Sequence, residues 1–456
     1  MLNRRRFLTA TAGFSVGGLA AASAGQPLSG FDTRSLRGSI NASELGIHPG
    51  GFDDQSKAFN TMLQKASDAD APVFVPPGIY VISNINMPAR VRLTGVPGAT
   101  RLVYGGDGHF LLAESAEHIE LSGLVIDGAN RWLGHQVEGV LHARGVAHLV
   151  VDNCRVLGAS RHGIAAERSS GRIERNDITG AGDAAIWSVD AHGMRIAANT
   201  IADSGNGGIL VHRWQPGEDG TIVTGNRIER TLARNGGTGQ FGNAINVFRA
   251  GRVIISDNQI SDSALSAIRS NSGSNVQITG NNCVRSGETS IYSEFAFEGA
   301  VIANNIVDGA ANGISVVNLN EGGRMSTVSG NLVRNLSSSG PYKADPPGYG
   351  LGISVEADTT VTGNVIEGAP LYGLNLGWGP FLRNVVATGN VIRDVGEGIA
   401  VSVVEGVGSV VISDNVIDGA RRGGIVGHRW VEAVTGDLAL EKSNWPGLTV
   451  ERNRVS

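Results

Sequence analysis

Arg269, Asn271, Tyr292 and Glu294 stand as two pairs one repeat apart, and they combine the side chains that acid–base chemistry on a sugar needs. An Arg beside a Tyr suits a lyase: the guanidinium neutralises a uronate carboxylate while the phenol assists proton abstraction at the adjacent carbon. Glu294 and Glu356 offer a second chemistry. Two repeats apart, they stand roughly 9.6 Å from each other at the backbone, against ~6.5–9.5 Å between the carboxyls of an inverting glycosidase. The candidate catalytic residues are therefore Arg269, Tyr292, Glu294 and Glu356, with lyase and hydrolase both open. Trp187, His212, Asn246, Phe248, Asn271 and Asn375 fall on the same outward rows and are the candidate substrate-binding residues. Such a mixture of aromatic and planar polar groups suits sugar rings, which stack on flat apolar platforms beside hydrogen-bonding groups.

The element that positions them is a repeat. A unit reading apolar-x-x-Asn-x-apolar, as in Ile173–Ile178, recurs at Asn199, Asn226, Asn258, Asn281, Asn305, Asn331, Asn364, Asn390, Asn415 and Asn453. The usual spacing is roughly 23–27 residues, in the range of solenoid repeats. Cys154 and Leu124 hold the Asn position in two earlier copies. A second unit follows each Asn: a Gly, Ala or Ser, then an aliphatic residue, then alternation, as at Gly163-Ile164, Ala185-Ile186, Gly313-Ile314 and Gly398-Ile399. The small residue reads as a tight turn entering a strand. Two short strands per repeat without helical periodicity exclude a βαβ array, whose crossover needs a helix. Successive copies must stack in parallel, burying an Ile/Val stripe and aligning the Asn side chains along the axis.

This pattern resembles the pectate-lyase-like right-handed parallel β-helix superfamily over nearly the whole chain. The resemblance implies an all-β fold: a single-stranded right-handed parallel β-helix of roughly a dozen or more coils. A helical pattern with Phe59, Met62, Leu63 and Ala66 on one face, capped by Asp53 or Asp54, precedes Val73–Tyr80 with its Pro-Pro-Gly turn. These features resemble the N-terminal capping helix and first strand of such solenoids. The chain departs from the polygalacturonase pattern, having no Asn-Thr-Asp, Gly-His-Gly or Arg-Ile-Lys, and it lacks the Asp-Pro-His of alginate epimerases.

Asn3-Arg4-Arg5-Arg6-Phe7-Leu8 resembles the twin-arginine export motif, and Ala22-Ser23-Ala24 fits a small-residue cleavage site. The expected organisation is a signal peptide at 1–24, a linker at 25–44 and the β-helix at 45–456, with 45–85 as N-terminal cap. The repeat together with this signal also resembles a family of uncharacterised twin-arginine-translocated repeat proteins. That implies a periplasmic or secreted protein, exported folded, with the twin-arginine machinery as a partner. No later segment approaches the length of a membrane span.

Composition narrows the function further. Gly makes up 66 of 456 residues, apolar residues 41%, and the formal net charge is -5. Arg is scattered rather than clustered, which excludes the basic stripe of a nucleic-acid binder. Lys occurs only at positions 57, 65, 343 and 442, so the bases are nearly all Arg. Codon usage accounts for this; so would bidentate pairing with carboxylates. Cys154 and Cys283 lie about five coils apart, roughly 24 Å, too far for a disulfide. They read as small core residues with free thiols. No cluster has zinc spacing; no cofactor is expected, and a calcium site built from several coils stays open.

Inserts at Leu232–Gly242 and Ser337–Tyr349 fall on one edge of the outward rows, with Trp214–Gly220 and Asn318–Arg324 on the other. Together they would wall a cleft, since long loops in solenoids are often functional. The reading is an exported protein that cleaves or remodels an acidic polysaccharide. The alternatives are a non-catalytic polysaccharide-binding or cell-envelope scaffold protein and an adhesin rod. Two His-Arg-Trp triplets, at 212–214 and 428–430, are either stacking platforms or loop anchors.

Overall fold

The computed structural model describes residues 38–456 except 51–52, 238 and 442–444; the arginine motif and its cleavage site lie outside the described residues. Within them the chain is a parallel β-helix. Three sheets run its length, of 16, 15 and 15 strands, and each strand hydrogen-bonds to its counterpart one coil away. We call them sheets A, B and C in the order one coil visits them, for example Gly171–Glu174, Asp177–Thr179 and Ala184–Val189. The first pairing joins Ile40–Asn41 to Val73–Phe74, so the solenoid begins ahead of residue 45. A single coil thus has three strands where the sequence showed two. The apolar-x-x-Asn-x-apolar unit is a sheet A strand and a sheet B strand joined at a bend, with Asn at the corner.

Two backbone requirements make that bend. The residue before each ladder Asn takes a left-handed conformation, for example Arg175 (φ 56°), Asp257 (φ 58°), Asn304 (φ 57°) and Gly330 (φ 65°). The Asn then answers the polar groups the bend leaves inside. Asn199 Nδ2 donates to the carbonyl of Ile173 at 2.9 Å and to Asn226 Oδ1 at 3.0 Å. Its Oδ1 accepts from the backbone N–H and the Nδ2 of Asn176, both at 3.0 Å. Both amide hydrogens and two lone pairs are therefore used, and the pattern repeats without a break from Asn176 to Asn453. A buried amide is tolerated only when satisfied in this way.

The small residue before each sheet C aliphatic has a different cause from the expected turn. Gly208 and Gly352 lie within strands Gly207–Glu218 and Leu351–Val355. A Cβ added at Gly208 would stand 2.3 Å from the carbonyl oxygen of Ala244, and at Gly352 2.3 Å from that of Gly373. Size limits the column: at its glycines the backbone of the next coil fills the space a Cβ would need, and elsewhere the residue is no larger than Ala or Ser. The aliphatic that follows points inward and is fully buried, as at Ile186, Ile209, Ile245 and Ile268. Each such side chain contributes about 1.5–3 kcal/mol of burial.

The first coils are covered as solenoids require. Helix Ser56–Asp68 buries Phe59, Met62, Leu63 and Ala66 against the first coils. Its N-cap is Gln55 rather than Asp53 or Asp54, and Asp54 Oδ1 instead accepts the Ser56 N–H at 2.9 Å. The extra length after His428 forms strand Glu432–Asp437, which pairs antiparallel with Ile425–Arg429 and finishes sheet C. Cys154 and Cys283 are free and buried, and burial pushes both thiols up to about 12.

The arginines have a structural use. Arg230, Arg285, Arg383 and Arg452 each clasp with two nitrogens an Asp of the preceding coil, respectively Asp203, Asp262, Asp358 and Asp414. The carboxylates these arginines bind are the protein's own.

Interrupting the ladder should cost far more than losing one of these clasps. Asn281→Ala orphans two donors on Asn258 and the acceptor on Ile255, and takes one of two donors from Asn305 Oδ1. At about 1–3 kcal/mol per buried orphan, the expected loss is roughly 3 kcal/mol or more, read as a lowered urea midpoint. Arg383→Ala, at an exposed pair, should barely move it.

Candidate functional site

The outer face of sheet C carries three residues per strand, and register fixes their columns. The central column runs Asn246, Arg269, Tyr292, Ser315, Ser354, Asn375. Beside it run Val189, His212, Phe248, Asn271 and Glu294. These are the outward rows expected from alternation.

Arg269 and Glu294 form the most tightly knit part of this face. Arg269 Nε and Nη2 donate to the two oxygens of Glu294 at 2.6 and 2.9 Å, and Nη1 donates to Glu288 at 3.3 Å. The guanidinium lies over the Tyr292 ring, 4.9 Å from its centroid. Asn271 Nδ2 donates to Glu294 at 3.1 Å, and Asn246 Nδ2 donates to the carbonyl of Gln240 at 3.2 Å. Gly239 and Gln240 of the insert thus lie against this group. Burial works against the Arg269 charge, but Glu294 and then Glu288 outweigh it and hold its pKa above the ordinary value. A guanidinium bound to two carboxylates is not placed to receive a third, so the expected uronate neutraliser is already engaged by the protein. The same clasp draws the Glu294 carboxyl toward the preceding coil, away from Glu356.

One coil further on, the face opens into a cavity of about 240 Å³. Its floor is the column Tyr292, Ser315, Ser354 and Asn375. One wall is Glu288 with the 337–349 loop, whose Tyr342 hydroxyl donates to Glu288. The other wall is Val317, Glu356 and Trp378. Of the expected catalytic residues, Tyr292 and Glu356 line this space, while Arg269 and Glu294 stand behind Tyr292 and support it. Of the expected binding residues, Asn375 lines it and Asn246 and Asn271 belong to the supporting group. Trp187, His212 and Phe248 lie elsewhere. Trp187 stacks on His162 at 5.2 Å, and His212 meets Phe248 edge-on at 5.9 Å.

Glu356 is 8% exposed and accepts the Leu319 N–H at 2.6 Å, from the turn in the 318–324 insert. Burial pushes its carboxyl up to about 7, with the N–H groups of Leu319 and Asn318 opposing. Burial also raises Glu288, against the pull of Arg269 and the Tyr342 hydrogen bond, and raises the Tyr292 phenol, with Glu294 adding to it. No Arg, Lys or His lines the cavity among the described residues. Glu288, Tyr342 and Trp378 had no place in the outward rows. Tyr342 was traceable through its insert, whereas Glu288 lies just before the small-aliphatic unit and Trp378 just after the strand. Among the described residues no group of three or more His, Cys, Asp or Glu is placed to hold a metal ion, and no helix is long and apolar enough to cross a membrane.

The tryptophans of both His-Arg-Trp triplets are half-exposed and pack edge-on against a second Trp. Trp214 meets Trp187 at 6.1 Å and Trp430 meets Trp378 at 5.4 Å.

Comparison with known proteins agrees on architecture. A family model described as the right-handed β-helix region matches residues 138–320 and 216–381. The N-terminal fragment of gene product 12 of bacteriophage phi29 superposes with a TM-score of 0.53 at 17% identity, over 90% of this chain and 74% of that one. The pre-mature form of the same gene product gives 0.52 at 16% identity, over 87% and 56%. The catalytic unit of a thermostable GH87 alpha-1,3-glucanase from Streptomyces thermodiastaticus gives 0.44 at 15% identity, over 96% and 70%. The likeness to the two phage structures is of fold. No curated protein matches the chain.

Two measurements check the electrostatics. Arg269→Ala leaves Glu288 and Glu294 buried without their cation and should destabilise the fold by about 3–5 kcal/mol. Adding Glu288→Gln and Glu294→Gln should recover part of the lost melting temperature. The raised Glu356 pKa makes its contribution to stability full below about pH 4.5 and lost as pH rises to about 7. The decline is on the order of 3 kcal/mol. In Glu356→Gln it should vanish, giving a flatter stability profile across that window.

Proposed function

Because this chain belongs to the right-handed β-helix family, whose matched residues cover more than half of it, we propose that the sheet C cavity binds a polysaccharide and that Glu356 cleaves it by general-acid catalysis. The carrying observation is a buried carboxyl that keeps its proton near neutral pH, set in the wall of a cavity floored by polar side chains. A general acid needs that match of pKa to working pH. Glu356 gives its proton to the glycosidic oxygen as the bond to the anomeric carbon breaks. Asp345, from the 337–349 wall, takes a proton from the water whose oxygen attacks that carbon. Tyr292, Ser315, Ser354 and Asn375 orient the ring, and Trp378 offers an aromatic surface beside it.

The lining favours a hydrolase over a lyase, and a non-uronic sugar over an acidic one. A uronate carboxylate here would face Glu288 and Asp345 with no lining cation to neutralise it. A second reading, a binding scaffold without turnover, draws support from the engagement of Glu294 and Glu288 by Arg269. The twin-arginine-like N-terminus supports export, which would bring the cavity to polymers outside the cytoplasm.

Purified protein incubated with neutral, amino and uronic polysaccharides, with reducing ends and unsaturated uronate absorbance followed together, tests this. The expected result is new reducing ends without unsaturated uronates. Glu356→Gln should lower kcat by about 10²–10⁴-fold, and kcat/KM of the native protein should fall as pH rises through about 7. Unsaturated products would establish the lyase instead. Retardation in polysaccharide gels without any product would establish the scaffold.

A further inference from the structure

The charge around the cavity is unbalanced. Arg269 is the cation that reaches its lining, and it is shared between Glu288 at 3.3 Å and Glu294 at 2.6 and 2.9 Å. That trio alone carries a net negative charge, before Asp345 on the loop wall is counted. Glu288 is 4% exposed, so water does little to screen it. A second feature points independently to a polar ligand. Ser354 lies in the floor and is 3% exposed, and its Oγ has no hydrogen-bond partner in the protein. An orphaned buried hydroxyl costs about 1–3 kcal/mol, which a ligand hydroxyl or amine entering the cavity would relieve. At about 240 Å³ the space is near the lower end of the ~300–1,000 Å³ usual for ligand pockets, so it takes one sugar unit of a chain rather than several.

We infer that this unit carries a free amino group, placed against Glu288, and that the ligand is a glycan containing unacetylated hexosamine. The inference rests on the carbohydrate reading of the cavity and narrows it. A neutral sugar would leave Glu288 undercompensated and a uronate would be repelled. An ammonium supplies the missing charge and donates charge-assisted hydrogen bonds to the carboxylate oxygens. The adjoining rings of Tyr292 and Tyr342 add a surface that cations favour.

The test is calorimetric titration of the full chain at pH 6 with three oligosaccharides of equal length: a glucosamine oligomer, its N-acetylated counterpart and a uronic acid oligomer. The expected result is at least ~10-fold tighter binding of the glucosamine oligomer than of the acetylated one. That advantage should shrink as ionic strength rises from 0.05 to 0.5 M, because screening shortens the reach of the charges. Glu288→Gln should lower the preference toward unity. If that variant does not fold, the ligand comparison and its salt dependence in the native protein still decide the matter. Equal or tighter binding of the acetylated oligomer overturns the amine assignment and leaves the carbohydrate site standing. Preference for the uronate overturns both the amine assignment and the non-uronic reading. Absence of binding by all three overturns the inference together with the site on which it rests.

Discussion

From Asn176 to Asn453, each coil of this protein is held to the next by one fully used amide. The Asn side chain at the bend between sheets A and B donates backward to a carbonyl and forward to the next Asn, and it accepts twice from the coil before. A backbone that turns sharply inside a core exposes donors and acceptors that an apolar side chain cannot answer. The ladder answers them with an amide at the position where earlier coils place Leu124 and Cys154. Everything else takes its register from that column, including the Ile stripe and the outward rows of sheet C.

The sequence displays the features that repeat in every coil. The Asn column, the aliphatic column and the outward rows each return at a fixed offset, so their alignment could be read without coordinates. The third strand was hidden because the bend leaves no polar run, only a single residue in a left-handed conformation before each Asn. The size limit on the small column was misread as turn chemistry because glycine answers both demands, and only the close approach of Gly208 to the carbonyl of Ala244 separates them. The cavity was legible by half. Tyr292, Glu356 and Asn375 sit on periodic rows, while Glu288 and Trp378 fall just beyond them. The ion pair between Arg269 and Glu294 joins adjacent coils, so proximity was readable; which way the charges would turn was not.

Charge in this rod is mostly internal traffic. Arg is planar and forked, and in Arg230, Arg285, Arg383 and Arg452 the fork meets an Asp one coil earlier. Lys, a point charge on a flexible stem, would hold such a pair less firmly. Arg269 follows the same habit in a buried setting. It leaves a cavity whose negative charge is set by the architecture rather than by an added acidic patch.

The 337–349 loop has a property that reaches past this molecule. It departs where the Ser337 N–H meets the carbonyl of Ala310 at 2.8 Å and returns where the Gly350 N–H meets that of Ala311 at 2.9 Å. Its two ends are pinned to neighbouring residues of one earlier coil, so the path of the coil beneath does not depend on its length. Closing a longer or shorter excursion between the same two points changes the entropy only slowly with length. A scaffold with such a socket can exchange the whole wall of its cavity in a single genetic event, and ligand preference can diverge between descendants whose coils remain alike.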